Sequence, residues 1–121
     1  MSQGTRIRIV GVGGAGCNAI SRMSKCNIQG VDLIAINCDI SDLKKIKADK
    51  KIQIGKELTQ GFGAGMKPEI GRKSAIEDKA EIEEVLKGSD IVFIAAGLGG
   101  GTGTFASNVV ADVAKKTGAL T

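Results

Sequence analysis

Short apolar runs alternate along the chain with segments in which apolar residues recur every three or four positions. The apolar runs predict strands over residues 6–10, 31–37, 51–54 and 90–96. The second of these is apolar almost throughout and rich in β-branched residues, which is typical of a strand buried on both faces. The helical spacing predicts helices over residues 15–27, 41–48, 68–86 and 106–116, the second with Ser41 as its N-cap. The glycine-containing residues 55–67 predict a loop before the third helix.

This alternation predicts an α/β fold. Strands that alternate with helices form a parallel sheet with right-handed crossovers, and we expect a Rossmann-like, three-layer arrangement with strand order 3-2-1-4. The apolar strand residues and Leu98 are expected in the core. The final TGALT predicts the start of a fifth strand beside the otherwise unpaired fourth. We therefore expect the chain to be the first portion of a longer protein.

Two glycine-rich segments follow the first and fourth strands: GVGGAG from Gly11 and GLGGGTGT from Gly97. Ligands of open parallel sheets bind beyond the carboxyl ends of the strands, at the switch in strand order, which here lies between these two strands. Helix amino termini attract anions, and glycines let several N–H groups converge on phosphate oxygens. The pattern predicts a phosphate cradle, to which Thr102 and Thr104 would add hydroxyl donors.

The first segment alone leaves other interpretations open. GVGGAG matches the GxGxxG fingerprint, and Asp39 lies roughly 20 residues further on at the end of the second strand, so the pair is typical of an NAD-binding Rossmann domain. A tight turn with close helix packing is the structural alternative, and Asp39 could equally cap the helix that follows it. A dinucleotide domain does not require the second segment, and the chain contains no GxxxxGK[ST] P-loop motif.

Composition narrows the function classes. The 121 residues are 42% hydrophobic and 25% charged, as expected of one folded domain. Three Phe with no Tyr or Trp argue against nucleic-acid binding by base stacking, and the lysine-rich residues 43–51 fit a solvated surface. Three scattered cysteines and no histidine argue against a zinc site and fit free thiols in a reducing cytoplasm. We expect a cytoplasmic chain without membrane insertion, since neither a signal peptide nor a spanning run is visible.

Five segments, in order, carry a specific resemblance to a known family: GVGGAGCNAI, VDLIAINCD, GFGAGMKPEIGRKSA, GSDIVFIAAGLGGGTGT and VVADVAKKTGALT. They cover most of the chain, which resembles the amino-terminal, nucleotide-binding part of FtsZ, the bacterial tubulin-like division GTPase family. The resemblance implies that the chain binds GTP or GDP, with Mg²⁺ entering through the nucleotide. It also implies that the parent protein associates with itself into filaments.

The resemblance further implies which residues line the nucleotide. They are Gly14, Ala15, Gly16, Cys17 and Asn18 in the first segment; Asp39, near the phosphates and magnesium; Gly63, Ala64 and Gly65, at the terminal phosphate; and Gly99, Gly100, Gly101, Thr102, Gly103 and Thr104 in the signature loop. Cys17 would contribute its backbone alone, because a thiol is a poor hydrogen-bond partner. Capping or polar packing is the structural alternative for Asn18.

The sequence departs from the family at several positions. Phe105 stands where the family has its last signature glycine, and would either pack inward or narrow the pocket. Lys67 replaces an asparagine, and Cys38 a threonine. In the family, a central helix further along the chain helps to hold the base. Hydrolysis there needs acidic residues from the second domain of the neighbouring subunit.

Neither that helix nor the second domain is encoded in these residues, so we expect the chain alone to be catalytically inactive. Two alternatives to the guanine-nucleotide hypothesis stay open at this point. One is the NAD-binding domain. The other is a non-catalytic half that pairs with a separately made carboxy-terminal half.

Overall fold

The computed structural model describes residues 4–55, 73, 75–97 and 101–121, with the backbone alone for 101–105. Its elements are, in chain order, β1 (Ile7–Val12), α1 (Gly13–Lys25), β2 (Val31–Asn37), α2 (Ile40–Lys44), β3 (Lys50–Gln53), α3 (Lys79–Leu86), β4 (Ile91–Ala96) and α4 (Gly101–Lys116). These strands form one parallel sheet in the order β3-β2-β1-β4. The predicted fold class and strand order are confirmed.

The sheet buries side chains on both faces, because successive residues of a strand point to opposite sides. One layer joins the sheet to α3 and α4, and contains Val10, Val12, Ile34, Ile36, Val92, Ile82, Leu86, Val110 and Val113. The other joins the sheet to α1 and α2, and contains Leu33, Ala35, Cys17, Ile20, Leu43 and Ile46. The helices α1 and α4, which begin within the two glycine-rich segments, therefore lie on opposite faces of the sheet.

Both of these helices begin earlier than the sequence pattern predicts. α1 begins at Gly13 rather than at residue 15, and α4 begins at Gly101 rather than at residue 106. Glycine is a poor helix former, so the glycine-rich segments predict loops. Propensity is a weak local preference that packing can override, and both helices pack against the sheet. Much of each glycine-rich segment is consequently helical backbone.

The start of α2 also differs from the prediction. Ser41 is not the N-cap. Asp39 takes that position, with its Oδ1 accepting a hydrogen bond from the amide of Asp42 at 3.1 Å. Of the helix predicted over 68–86, residues 75–77 are helical, Asp78 is in a turn and α3 follows. Residues 56–72 and 74, which carry the predicted start of that helix and most of the predicted loop with Lys67, lie outside the described residues.

The β4 side of the sheet is less covered than the sequence pattern predicts. Phe93 is 56% exposed, so its assignment to the core is wrong, and Leu98 lies outside the described residues. Leu120 forms a parallel bridge with Ile91. Its amide donates to the carbonyl of Asp90 at 2.9 Å, and its carbonyl accepts from Val92 at 2.8 Å. The predicted start of a fifth strand is thus present as a single bridge.

Candidate functional site

The carboxyl edge of the sheet brings the two glycine-rich segments together. β1 and β4 pair in register, with Val12 opposite Ala96, and each strand leads through glycines into a helix. Since α1 and α4 cover opposite faces of the sheet, their amino termini flank the same point at its edge. This is the position at which open parallel sheets bind ligands.

The junction between β1 and α1 has no intervening loop. The strand ends at Val12 and the helix begins at Gly13, whose φ of 78° is a left-handed conformation that favours glycine. Val12 is the N-cap and its side chain makes no capping hydrogen bond. The first turn also contains no acidic residue. Its amides have no partner within the helix and, with the helix dipole, favour an anion.

Gly14 lies exposed in this first turn. A Cβ atom built on Gly14 would meet no protein atom within 4 Å, and its φ is not among the positive ones. Neither packing nor backbone strain in the described part of the chain therefore requires glycine at this position. A ligand seated against the backbone would require it, since a side chain there would occupy the ligand's space.

Close contacts fix α1 against the end of β4. A Cβ atom on Gly16 would lie 2.4 Å from the carbonyl oxygen of Ala95, so this glycine lets the helix approach the strand. A Cβ atom on Gly97 would lie 2.5 Å from the Cβ atom of Ala15. The start of α1 thus contacts the first residue of the second glycine-rich segment directly.

Asp39 lies at the end of β2, on the same edge of the sheet. Its Oδ1 caps α2, so the capping role considered from the sequence is observed. Among the residues that the structure describes, its Oδ2 accepts no hydrogen bond. A contact of Asp39 with magnesium or with phosphate oxygens stays a prediction, and Oδ2 is the atom left for it.

The thiol of Cys17 faces the protein interior. The residue is 1% exposed, and its Sγ lies 3.4 Å from the carbonyl oxygen of Ile36 and 3.6 Å from that of Gly11. Burial raises the pKa of the Cys17 thiol to about 12. The side chain is therefore a neutral, buried group that links α1 to β1 and β2, and only the backbone of Cys17 remains for a ligand.

The other predicted site residues divide into three groups. Ala15 and Asn18 are exposed in α1, whereas Gly16 is buried. The backbone of Gly101, Thr102, Gly103 and Thr104 forms the first turn of α4. Gly63, Ala64, Gly65, Gly99 and Gly100, together with the hydroxyls of Thr102 and Thr104 and the ring of Phe105, lie outside the described residues.

Sequence reasoning missed two residues at this edge, Gly97 and Asn37. The contact of Gly97 with Ala15 has no sequence signal, because it depends on how closely α1 approaches the end of β4. Asn37 is 3% exposed and ends β2. The sequence does indicate Asn37, because it is an amide side chain directly after the apolar residues 33–36.

The described residues contain no group of three or more His, Cys, Asp or Glu side chains that could hold a metal ion. A divalent cation at this edge would accordingly need oxygen ligands from a bound phosphate as well as from the protein. In the same part of the chain, no helix combines the length and the apolar character that crossing a bilayer requires.

A family profile described as Tubulin/FtsZ family, GTPase domain, matches residues 6–121. The chain belongs to this family. The resemblance drawn from the five sequence segments is confirmed, and the tubulin/FtsZ fold accounts for the strand order β3-β2-β1-β4.

Individual members of the tubulin/FtsZ family agree with the profile. "Cell division protein FtsZ 1" of Thermococcus kodakarensis is 60% identical over 96% of this chain and 31% of its own length. "Cell division protein FtsZ" of Aquifex aeolicus is 53% identical over 96% of this chain and 32% of its own length. The solved structure "FtsZ dimer, empty (M. jannaschii)" has a TM-score of 0.96 and 51% identity, covering 98% of this chain and 35% of that chain. The chain spans about a third of the length of these relatives.

Proposed function

We propose that the chain binds guanine nucleotide, as the amino-terminal part of the GTP-binding domain of a filament-forming, tubulin-like cell-division GTPase. Membership of a family whose matched domain is a GTPase domain supports the guanine nucleotide. The uncapped amino terminus of α1 supports the position of its phosphates. The observation that carries the proposal is Gly14, where the described protein leaves space for a side chain and the sequence has none.

In this proposal the phosphates of GTP or GDP lie between the first turns of α1 and α4. Backbone amides from Gly14 to Asn18 would hold them on one side, and those of the signature segment from Gly99 to Thr104 on the other. Gly63, Ala64 and Gly65 would contact the terminal phosphate. Convergent amides at two helix amino termini suit the spread negative charge of a polyphosphate.

Magnesium would enter with the nucleotide. Mg²⁺ prefers oxygen ligands and keeps several waters, so one carboxylate and the phosphate oxygens suffice to hold it. The Oδ2 of Asp39 is the protein oxygen proposed for this contact, either directly or through water. When bound, the ion supplies neutralisation of phosphate charge.

Hydrolysis is proposed for the parent protein rather than for this chain alone. By family resemblance, water is positioned by acidic residues of the next subunit in a filament. The groups of this chain proposed for the site are backbone amides for the phosphates and the carboxylate of Asp39 for the cation. A phosphate-release assay on the purified chain should give no GTP-dependent signal above that of a buffer blank. Turnover by the isolated chain would contradict this part of the proposal.

Isothermal titration calorimetry with GTP, ATP and NAD tests the nucleotide claim. We expect binding of GTP and loss of GTP affinity in Gly14→Ala, and the ATP titration measures how much of the affinity depends on the base. The substitution adds one methyl group in space that the protein does not fill, so circular dichroism should report an intact fold. Unchanged GTP affinity in this variant, or binding of NAD without any response to GTP, would overturn the proposal.

The NAD-binding alternative keeps one specific observation. Asp39 lies at the end of β2, where Rossmann domains carry the acidic residue that binds the ribose. In that case Asp39→Asn should reduce NAD affinity while preserving the cap, because asparagine caps helices as well as aspartate does. No NAD binding by either form would remove the alternative.

A non-catalytic half that pairs with a separate carboxy-terminal chain is the remaining proposal about partners. The exposed Phe93 and the single bridge at Leu120 supply apolar surface and backbone groups beside β4 that such a chain could cover. Co-expression with a tagged carboxy-terminal FtsZ segment, followed by size-exclusion chromatography, would test it. Separate elution of the two chains would count against it.

A further inference from the structure

Asn37 is an amide buried at the carboxyl edge of the sheet. It is 3% exposed and stands at the end of β2, two residues before Asp39. Burying an amide costs free energy unless its polar atoms find hydrogen-bond partners. The way in which Asn37 uses its polar atoms therefore indicates what the side chain does.

The side-chain oxygen of Asn37 binds the two backbone amides that follow it. Its Oδ1 accepts from the N–H of Cys38 at 2.8 Å and from that of Asp39 at 3.4 Å. Both partners are donors, so the oxygen and not the nitrogen of the amide must face them. The Nδ2 of Asn37 has no hydrogen-bond partner within the part of the chain that the structure describes.

The two hydrogen bonds shape the turn from β2 into α2. Asp39 has extended backbone, with φ −84° and ψ 108°, and its Oδ1 accepts from Asp42. Its carbonyl oxygen accepts from the amide of Leu43 at 3.1 Å. Asn37 thus holds the backbone amide of Asp39, and α2 holds its Oδ1. These two contacts restrict the carboxylate of Asp39 and leave its Oδ2 unbound by the described residues.

We propose that Asn37 is a positioning residue of the phosphate site, which fixes the direction of the Asp39 carboxylate toward a nucleotide-bound cation. The cation in this proposal rests on the proposed function. The turn itself does not, because hydrogen bonds within the chain form it. An apolar residue at this position would satisfy the burial but leave the amides of Cys38 and Asp39 without their acceptor. Aspartate would keep the acceptor oxygen.

Hydrogen exchange without ligand tests the turn. In Asn37→Ala, the amides of Cys38 and Asp39 should exchange about tenfold faster than in the unsubstituted chain, the effect of losing one hydrogen bond. In Asn37→Asp, their exchange relative to that of Ile34 should stay within a few-fold of the unsubstituted chain, because the acceptor is retained and the reference amide accounts for the cost of burying a carboxylate. The amide of Ile34, in the middle of β2, reports any general loss of stability. An equal increase at Ile34, or no increase at Cys38 and Asp39, would overturn the proposal.

A double-mutant cycle with nucleotide tests the link to Asp39. The readout is the factor by which Mg²⁺ raises GTP affinity, measured by calorimetry with Mg²⁺ and with EDTA. We expect Asn37→Ala and Asp39→Asn each to lower this factor, and the double variant to lower it no further. A loss in Asn37→Ala that is equal with and without Mg²⁺, or effects that add in full, would overturn the positioning role. Failure of the unsubstituted chain to bind GTP would instead refute the proposed function, and the exchange experiment would still decide whether Asn37 sets the turn.

Discussion

Substitution of Gly16 by alanine should destabilise the chain, although alanine is the better helix former. Gly16 lies within α1, where alanine gains up to about 1 kcal/mol over glycine. The added Cβ atom, however, would lie 2.4 Å from the carbonyl oxygen of Ala95 and 3.1 Å from the carbonyl carbon of Gly11. Real Cβ atoms essentially never approach closer than 3.0 Å. Both neighbours are backbone atoms of paired strands, Gly11 in β1 and Ala95 in β4, so the helix must move.

The magnitude follows from these two effects. Overpacking a rigid contact costs about 1–3 kcal/mol, and the upper end applies because no flexible side chain can move aside. After the helix gain of about 1 kcal/mol is subtracted, we expect Gly16→Ala to lower the free energy of unfolding by about 2 kcal/mol. For a chain of this length, that loss corresponds to a fall in Tm of roughly 8 °C.

Gly14→Ala is the matched control, since it places the same methyl group in the same helix with no protein atom within 4 Å. Urea unfolding followed by circular dichroism at 222 nm would compare both variants with the unsubstituted chain. Gly14→Ala should be as stable or slightly more stable. Equal stabilities for Gly14→Ala and Gly16→Ala would refute the claim that Gly16 is required for the approach of α1 to β4.

Four further predictions concern other parts of the chain. Gly97→Ala should destabilise the chain because its Cβ atom would lie 2.5 Å from that of Ala15, and adding Ala15→Gly should restore the stability. A double variant whose Tm is no higher than that of Gly97→Ala would contradict this contact. Burial raises the pKa of Cys17 from 9.0 to about 12, so above pH 9 the unfolded chain loses a proton that the folded chain keeps, and stability should fall by up to about 1.4 kcal/mol per pH unit from this thiol. Urea titrations at pH 8 and 10 should show a smaller fall in stability for Cys17→Ser than for the unsubstituted chain, and an equal fall contradicts the contribution of Cys17. At pH 8 a thiol reagent should label the exposed Cys26 first and Cys17 only on unfolding. Mass spectrometry that finds both thiols labelled at the same rate would contradict the burial of Cys17. Phe93→Thr should cost less than about 1 kcal/mol, against about 3–5 for a buried phenylalanine, because the ring is 56% exposed; a larger loss in urea unfolding would mean that the ring is covered.

The strand order was predictable because apolar runs and helical spacing alternate clearly, and alternation of this kind permits few topologies. The first residues of α1 and α4 were not predictable in this way. Glycine has a low helix propensity, so the glycine-rich segments indicated loops at positions that the structure shows as the first turns of α1 and α4. The error matters for the site, because amides at the first turn of a helix point along its axis, whereas those of a flexible loop have no fixed direction.

Asp39 illustrates how far residue type can carry a prediction. Its position after β2 predicts both a cap and a ligand contact, and the structure shows the cap. The role of Asn37 in the same turn depends on hydrogen-bond directions that spacing does not encode. The predicted burial of Phe93 was wrong for a different reason. An apolar residue in a strand predicts burial, but the sequence does not indicate whether a helix covers the face of the sheet on which that residue lies.

The direct passage of β1 into α1 has a consequence for the energetics of association. The amides that open this helix are fixed by the sheet behind them, so a bound anion would not have to order that segment first. Affinity would then be gained without the usual loss of backbone freedom on that side of the ligand. Because no segment on that side would fold on binding, calorimetry of anion binding at several temperatures should give a small change in heat capacity.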